Sequence, residues 1–264
     1  MSQALNDILD TLGPMAIAVS GGVDSMTLAT VATRLAGPAR VKIMHAVSPA
    51  VPAEATERVR QLAAQERWDL MVLDAGEFDD PAYVSNPVNR CFFCKGNLYG
   101  AIAARCDRQI LSGTNLDDLG EYRPGLDAAR NFGVRHPFVE ARIDKAGVRR
   151  LARDAGLGDI AELAASPCLS SRVETAIAID PQVLQAIHGI EQLVARELQP
   201  QTVRCRIRRA GIVIELDAQT LPHAEPAPAA LLAGVRTLLP PSLGDRPIAF
   251  ERYRTGSAFV GARP

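Results

Sequence analysis

Short apolar segments alternate with longer amphipathic segments over the first 165 residues. The run MAIAV, residues 15–19, lies between a Gly-Pro and a Ser-Gly-Gly sequence and predicts a buried strand, which leads into a helix from Asp24. The strand signal recurs at 41–47, 69–75 and 108–114, and helical spacing recurs at 55–67 and 145–158. Because strand and helix alternate, we predict a parallel sheet with helices on both faces and a ligand site beyond the carboxyl ends of its strands.

The pattern changes after residue 165. Asp180 can cap a helix that has Pro181 at its first position and continues through 182–198. Two strands, a Pro/Ala-rich loop, a helix and a last strand are expected near 202–218, 222–230, 229–239 and 247–253. We therefore predict an α/β fold with a doubly wound parallel sheet over residues 1–165 and a smaller C-terminal α+β domain over residues 166–264.

The composition is that of an ordinary globular protein. Of the 264 residues 47% are hydrophobic, and 29 Lys and Arg against 30 Asp and Glu leave a net charge of −1. This balance gives no global attraction to nucleic acid or membrane, so neither is an expected partner. No signal-peptide pattern or membrane-spanning apolar run is present, which predicts a cytoplasmic protein. The five cysteines, an odd number, argue against a disulfide framework and leave metal binding, catalysis or burial.

The segment SGGVDS, residues 20–25, joins the first predicted strand to its helix. Two glycines and a helix N-terminus present backbone N–H groups and the positive end of the helix dipole, an arrangement that binds phosphate. The spacing is neither G-x-x-x-x-G-K-[ST] nor G-x-G-x-x-G. A glycine turn that only lets the helix pack on its strand is the alternative.

In this setting SGGVDS resembles the pyrophosphate loop (PP-loop) of the ATP pyrophosphatase superfamily, whose domain is HUP-like. The resemblance implies that ATP binds here with Mg²⁺, and that a substrate oxygen attacks the α-phosphorus while pyrophosphate leaves. It assigns phosphate hydrogen bonds to Ser20, Gly21, Gly22 and Ser25. It also places Asp24 near Mg²⁺, so Ser20 and Asp24 are predicted to be catalytic. A divalent cation suits this reaction because it neutralises charge on the leaving pyrophosphate.

Three cysteines form a candidate metal site. Cys91 and Cys94, in NRCFFCK, have the C-x-x-C spacing that lets two thiolates reach one metal or cluster, and Cys168, in SPCLSSR, is the third. A [4Fe–4S] cluster held by three cysteines would leave one iron open to carry sulfide. A structural zinc or plain burial is the alternative for Cys91 and Cys94, although a Cys₄ zinc site would want a second C-x-x-C pair. Burial is expected for Cys106 and Cys205.

A closer resemblance covers nearly the whole chain. Seven motifs follow in the order found in the ATP-dependent sacrificial sulfur transferases, which make the thiocarboxylates of a nickel-pincer nucleotide cofactor. They are SGGVDS, AVSP (46–49), NRCFFCK, GTNLDDLGEYRPGL (113–126), PCLSSR, VRCR (203–206) and ERYRTGS (251–257). That family adenylylates a carboxylate of pyridinium-3,5-biscarboxylic acid mononucleotide, and sulfur then displaces AMP.

The family uses two sulfur sources. Some members give up the sulfur of the cysteine that matches Cys168, whereas members with three cysteines bind a [4Fe–4S] cluster and use a sulfide on its open iron. Since this chain has all three, the resemblance implies cluster ligands at Cys91, Cys94 and Cys168, with Cys168 also catalytic. Free sulfide or a cysteine desulfurase would supply the sulfur.

The same resemblance assigns further ATP-binding residues. Ser48 lies in AVSP, and Asn115, Asp117 and Asp118 follow the fourth predicted strand, where a site at the sheet end is expected. Ser48, Asn115 and Asp118 are therefore predicted to bind ATP or Mg²⁺. A turn with capping carboxylates explains any one of the last three residues equally well.

A substrate site is predicted in the second domain. Arg204 and Arg206 point to one face of a strand, and with Arg172 beside Ser170 and Ser171 they resemble the family's substrate-phosphate site. Arginine suits this site because it grips pairs of phosphate or carboxylate oxygens. A solvated edge strand is the alternative.

Three nearby residues are expected to face solvent. Arg208 and Arg209 fit a solvated edge strand. Glu215 would face solvent on its alternation alone, but the family resemblance implies a substrate-side role for it.

Three other functions fit parts of the pattern. A tRNA thiolase can combine this loop with three cluster cysteines, but RNA binding usually needs a basic surface and stacking aromatics, and only 5% of the residues are aromatic. An ammonia-using synthetase has no need of cluster cysteines. A nucleotide-binding regulator without turnover would have the same loop.

Two stretches depart from the commoner family forms, namely RRAG (208–211) and SSRVETA (170–176). The resemblance therefore implies the reaction type rather than the identity of the carboxylate, which we expect on a small nucleotide. It also implies a homo-oligomer.

Overall fold

The computed structural model describes residues 2–120, 123–224 and 228–260. Glu121 and Tyr122 of the motif GTNLDDLGEYRPGL lie outside the described residues, as do 225–227 of the Pro/Ala-rich segment and the ends of both predicted domains, 1 and 261–264. The chain forms two compact units. The first holds residues up to 80 together with 89–166, and the second holds 81–88 together with the residues from 167.

The first unit is built on a four-stranded parallel sheet with strand order β3-β2-β1-β4. Its strands are β1 (Met15–Ala18), β2 (Val41–Ala46), β3 (Asp69–Leu73) and β4 (Gln109–Ser112). The chain's helices up to the end of this unit are α1 (Gln3–Thr11), α2 (Val23–Ala36), α3 (Ala53–Glu66), α4 (Pro81–Val84), α5 (Arg90–Ala103), α6 (Gly125–Asn131), α7 (Pro137–Glu140) and α8 (Lys145–Asp154). Of these, α4 belongs to the second unit.

Side chains of the sheet point alternately into two cores. Met15 and Ile17 of β1 pack in a core with residues of α1, α2 and α8, whereas Ala16 packs in a second core with Tyr99 and Ile102 of α5. A strand that is apolar at successive positions is expected where helices cover both faces of a parallel sheet. The predicted doubly wound α/β architecture is confirmed.

The ends of the helices follow their local sequence. Gly37 ends α2 with φ +81°, a conformation that favours glycine. Asp144 caps α8, and its Oδ1 accepts the N–H of Gly147 at 2.7 Å. No helix in the described part of the chain combines the length and the apolar character needed to cross a membrane.

The second unit contains the three-stranded sheet of the predicted C-terminal α+β domain. Strands β5 (Val203–Arg208) and β6 (Gly211–Leu216) are antiparallel, and β7 (Ile248–Arg252) pairs parallel to β6, so that β6 is central. Helix α9 (Pro181–Leu198) packs on β5 and on α10 (Ala229–Leu238). The predicted cap forms, because the Asp180 carboxylate accepts the N–H of Gln182 at 2.7 Å.

Residues 81–88 are anchored in the second unit by Asn86, which is fully buried. Its Nδ2 donates to the carbonyl oxygens of Glu174 (2.9 Å) and Ile177 (2.8 Å). The backbone carbonyl of Asn86 accepts the N–H of Ala176 at 2.9 Å. These bonds satisfy backbone groups that would otherwise be buried without partners.

Candidate functional site

The segment Ser20–Ser25 folds as a compact loop at the carboxyl end of β1. The Oγ of Ser25 accepts the backbone N–H of Ser20 at 3.1 Å and lies 3.2 Å from the Oγ of Ser20. The same hydroxyl donates to the carbonyl of Gly22 at 3.2 Å. Gly22 is the N-cap of α2, so the first N–H groups of that helix have no partner within the helix. The loop therefore presents the anion-binding end of a helix beyond the sheet.

Two glycines allow this loop to pack closely against its neighbours. Gly21 has φ +82°, and a Cβ there would lie 2.6 Å from the carbonyl oxygen of Ala55. At Gly113, just beyond β4, a Cβ would lie 2.7 Å from the backbone nitrogen of Ser25. Backbone atoms cannot give way as a flexible side chain can, so both positions require glycine for the loop to keep its place.

Asp24, on the first turn of α2, is held by two donors. The Nδ2 of Asn115 donates to its Oδ1 at 3.0 Å, and the ammonium of Lys145 lies 2.5 Å from its Oδ2. Asn115 is buried, whereas the side chains of Asp24 and Lys145 are 26% and 33% exposed. The carboxylate is thus fixed in direction and still reachable from solvent.

The carboxylates after β4 hold backbone groups. Asp118 accepts the N–H of Asn115 at 3.0 Å, and its other oxygen lies 2.8 Å from a guanidinium nitrogen of Arg123. Asp117 accepts the backbone N–H of Lys145 at 3.2 Å. These contacts are those of a turn with capping carboxylates. That Asn115 or Asp118 contacts ATP or Mg²⁺ stays a prediction.

Ser48 lies beyond the end of β2, on a groove of about 690 Å³ between this strand end and α3. Its Oγ accepts the N–H of Ala50 at 3.3 Å. Arg58 of α3, which also lines the groove, donates its Nε to the carbonyl of Gly21 at 3.3 Å. The remaining lining residues are Val47, Val51, Ala53, Glu54, Thr56, Glu57 and Arg60. The groove thus adjoins the loop.

Two histidines lie near the strand ends and are engaged within the fold. His45 is fully buried, with Nδ1 2.8 Å from the carbonyl of Val19 and Nε2 2.9 Å from the Oγ1 of Thr56. His136 has Nδ1 2.8 Å from the Oγ of Ser112. Burial lowers the pKa of both imidazoles. Both imidazoles hydrogen-bond within the scaffold, and burial disfavours their charged form.

The candidate cluster cysteines come from both units. Cys91 and Cys94 lie three residues apart near the start of α5, a spacing that brings two side chains to one helix face. Cys168 precedes a short 3₁₀ turn, Leu169–Arg172, in the second unit. No disulfide joins any of the five cysteines. Over the residues that the structure describes, no three His, Cys, Asp or Glu side chains form a ready metal site.

The other two cysteines are packed in the fold. Cys205 is fully buried, and burial raises the pKa of its thiol far above the usual value. Cys106 is half-buried beside the core under α5, with its Sγ 3.6 Å from the carbonyl of Ile102. The expectation that these two are buried thiols is confirmed for Cys205 and holds in part for Cys106.

Arg172 is the centre of a buried network in the second unit. Its Nε and Nη2 pair with both carboxylate oxygens of Glu191, at 3.0 and 3.1 Å. Its Nη1 donates to the carbonyls of Pro167 (2.6 Å) and Cys168 (3.2 Å). Such bidentate geometry holds the guanidinium firmly, and the guanidinium in turn holds the backbone around Cys168.

Glu215 accepts from three neighbours and is fully buried. The Nε of Arg206 lies at 3.0 Å, the Nη2 of Arg208 at 2.7 Å and the Oγ of Ser257 at 2.5 Å. The solvent-facing position that alternation alone predicts for Glu215 is wrong, because β6 is the central strand and both its faces are covered. Arg208 lies on the edge strand β5, but its side chain is only 16% exposed because it pairs with Glu215 and Glu251, so the solvated position expected for it is wrong. The side chain of Arg209 is 71% exposed, as expected.

Arg204 stands beside this network with its charge partly desolvated. Its guanidinium lies 5.9 Å from the centre of the Tyr253 ring. Burial and the positive charge of Arg172 hold the pKa of Arg204 below its usual value, and Arg206 adds to this effect. Two of these cations, Arg172 and Arg206, are paired with Glu191 and Glu215.

No protein-family model matches the chain. An uncharacterized protein of Synechocystis sp., slr1717, is 36% identical over 212 residues, which cover 78% of this chain and 77% of that protein. The chain belongs to the family of slr1717.

Two further relatives of this chain are less similar to it than slr1717 is. The uncharacterized protein MJ0830 of Methanocaldococcus jannaschii is 24% identical over 205 residues, covering 76% of this chain and 77% of that protein. The pyridinium-3,5-bisthiocarboxylic acid mononucleotide synthase of Lactiplantibacillus plantarum is 26% identical over 212 residues, covering 79% and 76%. The last similarity supports the predicted relationship to the sulfur transferases.

Hydrogen bonds connect several residues predicted for this member of the slr1717 family. In the first unit Ser20 is within hydrogen-bond distance of Ser25, and Asn115 donates to Asp24. In the second unit the predicted residues Arg172, Arg206, Ser170 and Glu215 occupy one buried network, in which the Oγ of Ser170 lies 2.6 Å from the hydroxyl of Tyr83 and the carbonyl of Ser171 accepts from Arg206 at 3.0 Å.

Two members of these networks were not predicted. Lys145 follows the helix-capping Asp144 directly, and a lysine at the first position of a helix is a signal that could have found it, because a cation there opposes the helix dipole. Glu191 lies on an amphipathic helix, where nothing in the sequence distinguishes it from a solvent-facing residue.

Proposed function

We propose that the protein is an ATP-dependent sulfur transferase. It would transfer AMP to a carboxylate of pyridinium-3,5-biscarboxylic acid mononucleotide or a related acid, release pyrophosphate, and replace AMP by sulfur to give a thiocarboxylate. The observation that carries the proposal is the loop Ser20–Ser25, with Asp24 aimed past the carboxyl end of β1. The similarity to a protein named as a bisthiocarboxylic acid mononucleotide synthase supports the choice of product class.

In the first step the loop would bind the β,γ-diphosphate of ATP. The N–H groups at the start of α2 and the hydroxyls of Ser20 and Ser25 are suited to its oxygens, because they combine hydrogen-bond donors with the positive helix end. The substrate carboxylate would then attack the α-phosphorus, and pyrophosphate would leave. Activation of the carboxylate is chemically required, since a free carboxylate repels a nucleophile and has no good leaving group, and transfer of AMP would supply one.

Asp24 fits the part of a magnesium ligand. Mg²⁺ in nucleotide sites usually takes one or two protein carboxylates and completes its shell with phosphate oxygens and water. A single partly exposed carboxylate beside a phosphate loop matches that donor set, and it needs no group of three protein ligands. When bound, Mg²⁺ would neutralise charge on the departing pyrophosphate.

The substrate's anionic groups would be bound by the arginine cluster of the second unit. Arg204 and Arg206 lie on β5. Burial and nearby positive charge lower the pKa of Arg204 from its usual value, and an anionic ligand would be favoured beside that charge. Glu215 would orient Arg206 and Arg208 rather than contact the substrate itself.

The sulfur would be carried by a [4Fe–4S] cluster on Cys91, Cys94 and Cys168. The first two cysteines fit, because one helix turn brings their thiols to the same side, and Cys168 is the third ligand by proposal. When bound, a cluster with one open iron would present a sulfide as the nucleophile. Inorganic sulfide or a cysteine desulfurase would replenish it.

Two measurements test the proposal. Anaerobically purified protein should release pyrophosphate when ATP and pyridinium-3,5-biscarboxylic acid mononucleotide are both present, and D24N should lose this activity. No release with any carboxylic acid would contradict an enzymatic role, and thiolation of added tRNA would favour the tRNA thiolase. Iron and acid-labile sulfide should each reach about four per chain. Near-zero iron after reconstitution would contradict the cluster, and loss of the mass of H₂S from Cys168 after turnover would make that residue the sulfur donor.

A further inference from the structure

The carboxylate proposed above to bind Mg²⁺ already has a cation against it. The Nζ of Lys145 lies 2.5 Å from the Oδ2 of Asp24, and the Nδ2 of Asn115 lies 3.0 Å from the Oδ1. A metal ion on Oδ2 and an ammonium on the same oxygen would repel each other strongly at this separation. Lys145 and a divalent cation therefore compete for Asp24.

The backbone of Lys145 is fixed at a position that does not favour a cation. Lys145 is the first residue of α8, where the positive end of the helix dipole raises the energy of an ammonium. Its backbone N–H is held by Asp117 at 3.2 Å, and the preceding Asp144 caps the helix. The helix therefore does not stabilise the ammonium of Lys145. The Asp24 carboxylate, 2.5 Å away, is the anion that does.

The surroundings of Asp24 offer little else to a free metal ion. The two oxygens of Asp118 accept the N–H of Asn115 and the guanidinium of Arg123. Throughout the parts of the chain described by the structure, no three acidic, His or Cys side chains converge on a common point as metal ligands. A divalent cation would need further oxygens, and ATP carries them.

We propose that Lys145 occupies the cation position of Asp24 until ATP arrives. Mg²⁺ that enters with ATP displaces the ammonium from the carboxylate, and the ammonium then pairs with phosphate oxygens. Exchange is feasible because the side chains are 26% and 33% exposed, and ion pairs with such access to water are weak. Lys145 is therefore a positioning residue that closes Asp24 to free divalent cations. This inference rests on the proposed function, since it requires the loop to bind ATP.

Binding of Mn²⁺ to the nucleotide-free protein tests the exchange without any turnover. K145M keeps the length of the side chain and removes its charge, and K145R keeps the charge. We expect K145M to bind Mn²⁺ roughly tenfold more tightly than the wild type, since one unit charge a few ångströms from the site is gone. Its affinity for ATP with Mg²⁺ should fall, because the phosphates lose a cation. K145R should bind Mn²⁺ as weakly as the wild type.

A matched control is Lys42, whose Nζ lies 3.2 Å from Asp69 at the opposite, amino end of the sheet. K42M should leave both affinities unchanged, and the gain in Mn²⁺ affinity should vanish in the double variant D24N/K145M. Electron paramagnetic resonance of free Mn²⁺ gives one affinity and calorimetry with ATP gives the other. K145Q replaces K145M if circular dichroism shows that the latter is unfolded.

Each failure has a different meaning. If K145M binds ATP but takes up Mn²⁺ no more tightly than the wild type, the exchange is wrong and the proposed function is untouched. If K145R gains Mn²⁺ affinity as K145M does, charge is not the cause and the inference is again overturned. If the wild type fails to bind ATP with Mg²⁺, the proposed function itself is contradicted, and the exchange with it.

Discussion

Neutralising Glu215 should destabilise the protein more than any change to a surface carboxylate. Its side chain is 0% exposed and accepts from Arg206, Arg208 and Ser257 at 3.0, 2.7 and 2.5 Å. Arg206 is itself only 5% exposed. The substitution E215Q keeps the shape of the side chain and one acceptor oxygen, but it removes the charge that compensates two guanidinium groups.

The magnitude follows from burial. Removing one partner of a buried ion pair costs about 3–5 kcal/mol, because the other charge stays buried without compensation. Arg208 is 16% exposed and keeps Glu251 at 3.5 Å, so its share of this cost is smaller. We therefore expect the lower end, about 3 kcal/mol, which corresponds to a fall in Tm of roughly 6–12 °C for a chain of this size.

Urea unfolding followed by circular dichroism measures the change. The matched control is E197Q in α9, where the Glu197 side chain is 49% exposed and pairs with Arg196, itself 70% exposed. An exposed pair of this kind contributes little, so the control should unfold like the wild type. A loss below about 1 kcal/mol in E215Q would refute the reasoning, since it would mean that water or another anion already reaches the guanidinium groups.

Three other predictions concern the loop and the buried titratable groups. G21A should lower ATP affinity at least about tenfold, because a Cβ would meet the Ala55 carbonyl at 2.6 Å. In contrast G37A, at φ +81° and ψ 155° with nothing within 4 Å, should cost about 1–3 kcal/mol of stability and leave calorimetric ATP affinity unchanged. Because burial lowers the pKa of His45 in the folded state, the unfolded chain binds more protons than the folded chain below about pH 6.5. The free energy of unfolding should therefore fall as the pH drops through this region. H45Q should flatten this pH dependence, and an equal slope in the wild type and the variant would contradict the prediction. Iodoacetamide should leave Cys205 unlabelled until the protein is unfolded, as judged by mass spectrometry, and labelling of the native protein would show that the thiol is accessible.

The elements that the sequence predicts well are those whose signal is local. The strand before the loop is expected at 15–19 and found at Met15–Ala18, and α9 begins where Asp180 and Pro181 indicate. The sequence pattern does not predict helix α5, because Gly96 and Gly100 interrupt its helical pattern. A Cβ at Gly100 would lie 3.6 Å from the ring of Phe132, which is an ordinary van der Waals contact.

The parts of the site that escape prediction depend on contacts between distant residues. Asp24 and Lys145 are 121 positions apart, and only the parallel order of the sheet, with α8 packed on α2, brings them together. Likewise, alternation along β6 shows which residues share a face, but it does not reveal that Arg206, Arg208 and Ser257 close around Glu215. Strand pairing of this kind follows from the whole fold rather than from any segment.

The anchoring of residues 81–88 by Asn86 affects how this chain can be synthesised and dissected. Residues 81–88 are synthesised well before residues 174–177, to whose backbone Asn86 hydrogen-bonds. The second unit therefore cannot finish folding until most of the chain has been made. For the same reason, cutting the gene at residue 166 would not yield two intact halves. The C-terminal fragment would expose the carbonyls of Glu174 and Ile177 that Asn86 now satisfies, and the N-terminal fragment would carry a segment without its partner. Supplying residues 81–88 as a separate peptide should restore the fold of the C-terminal fragment.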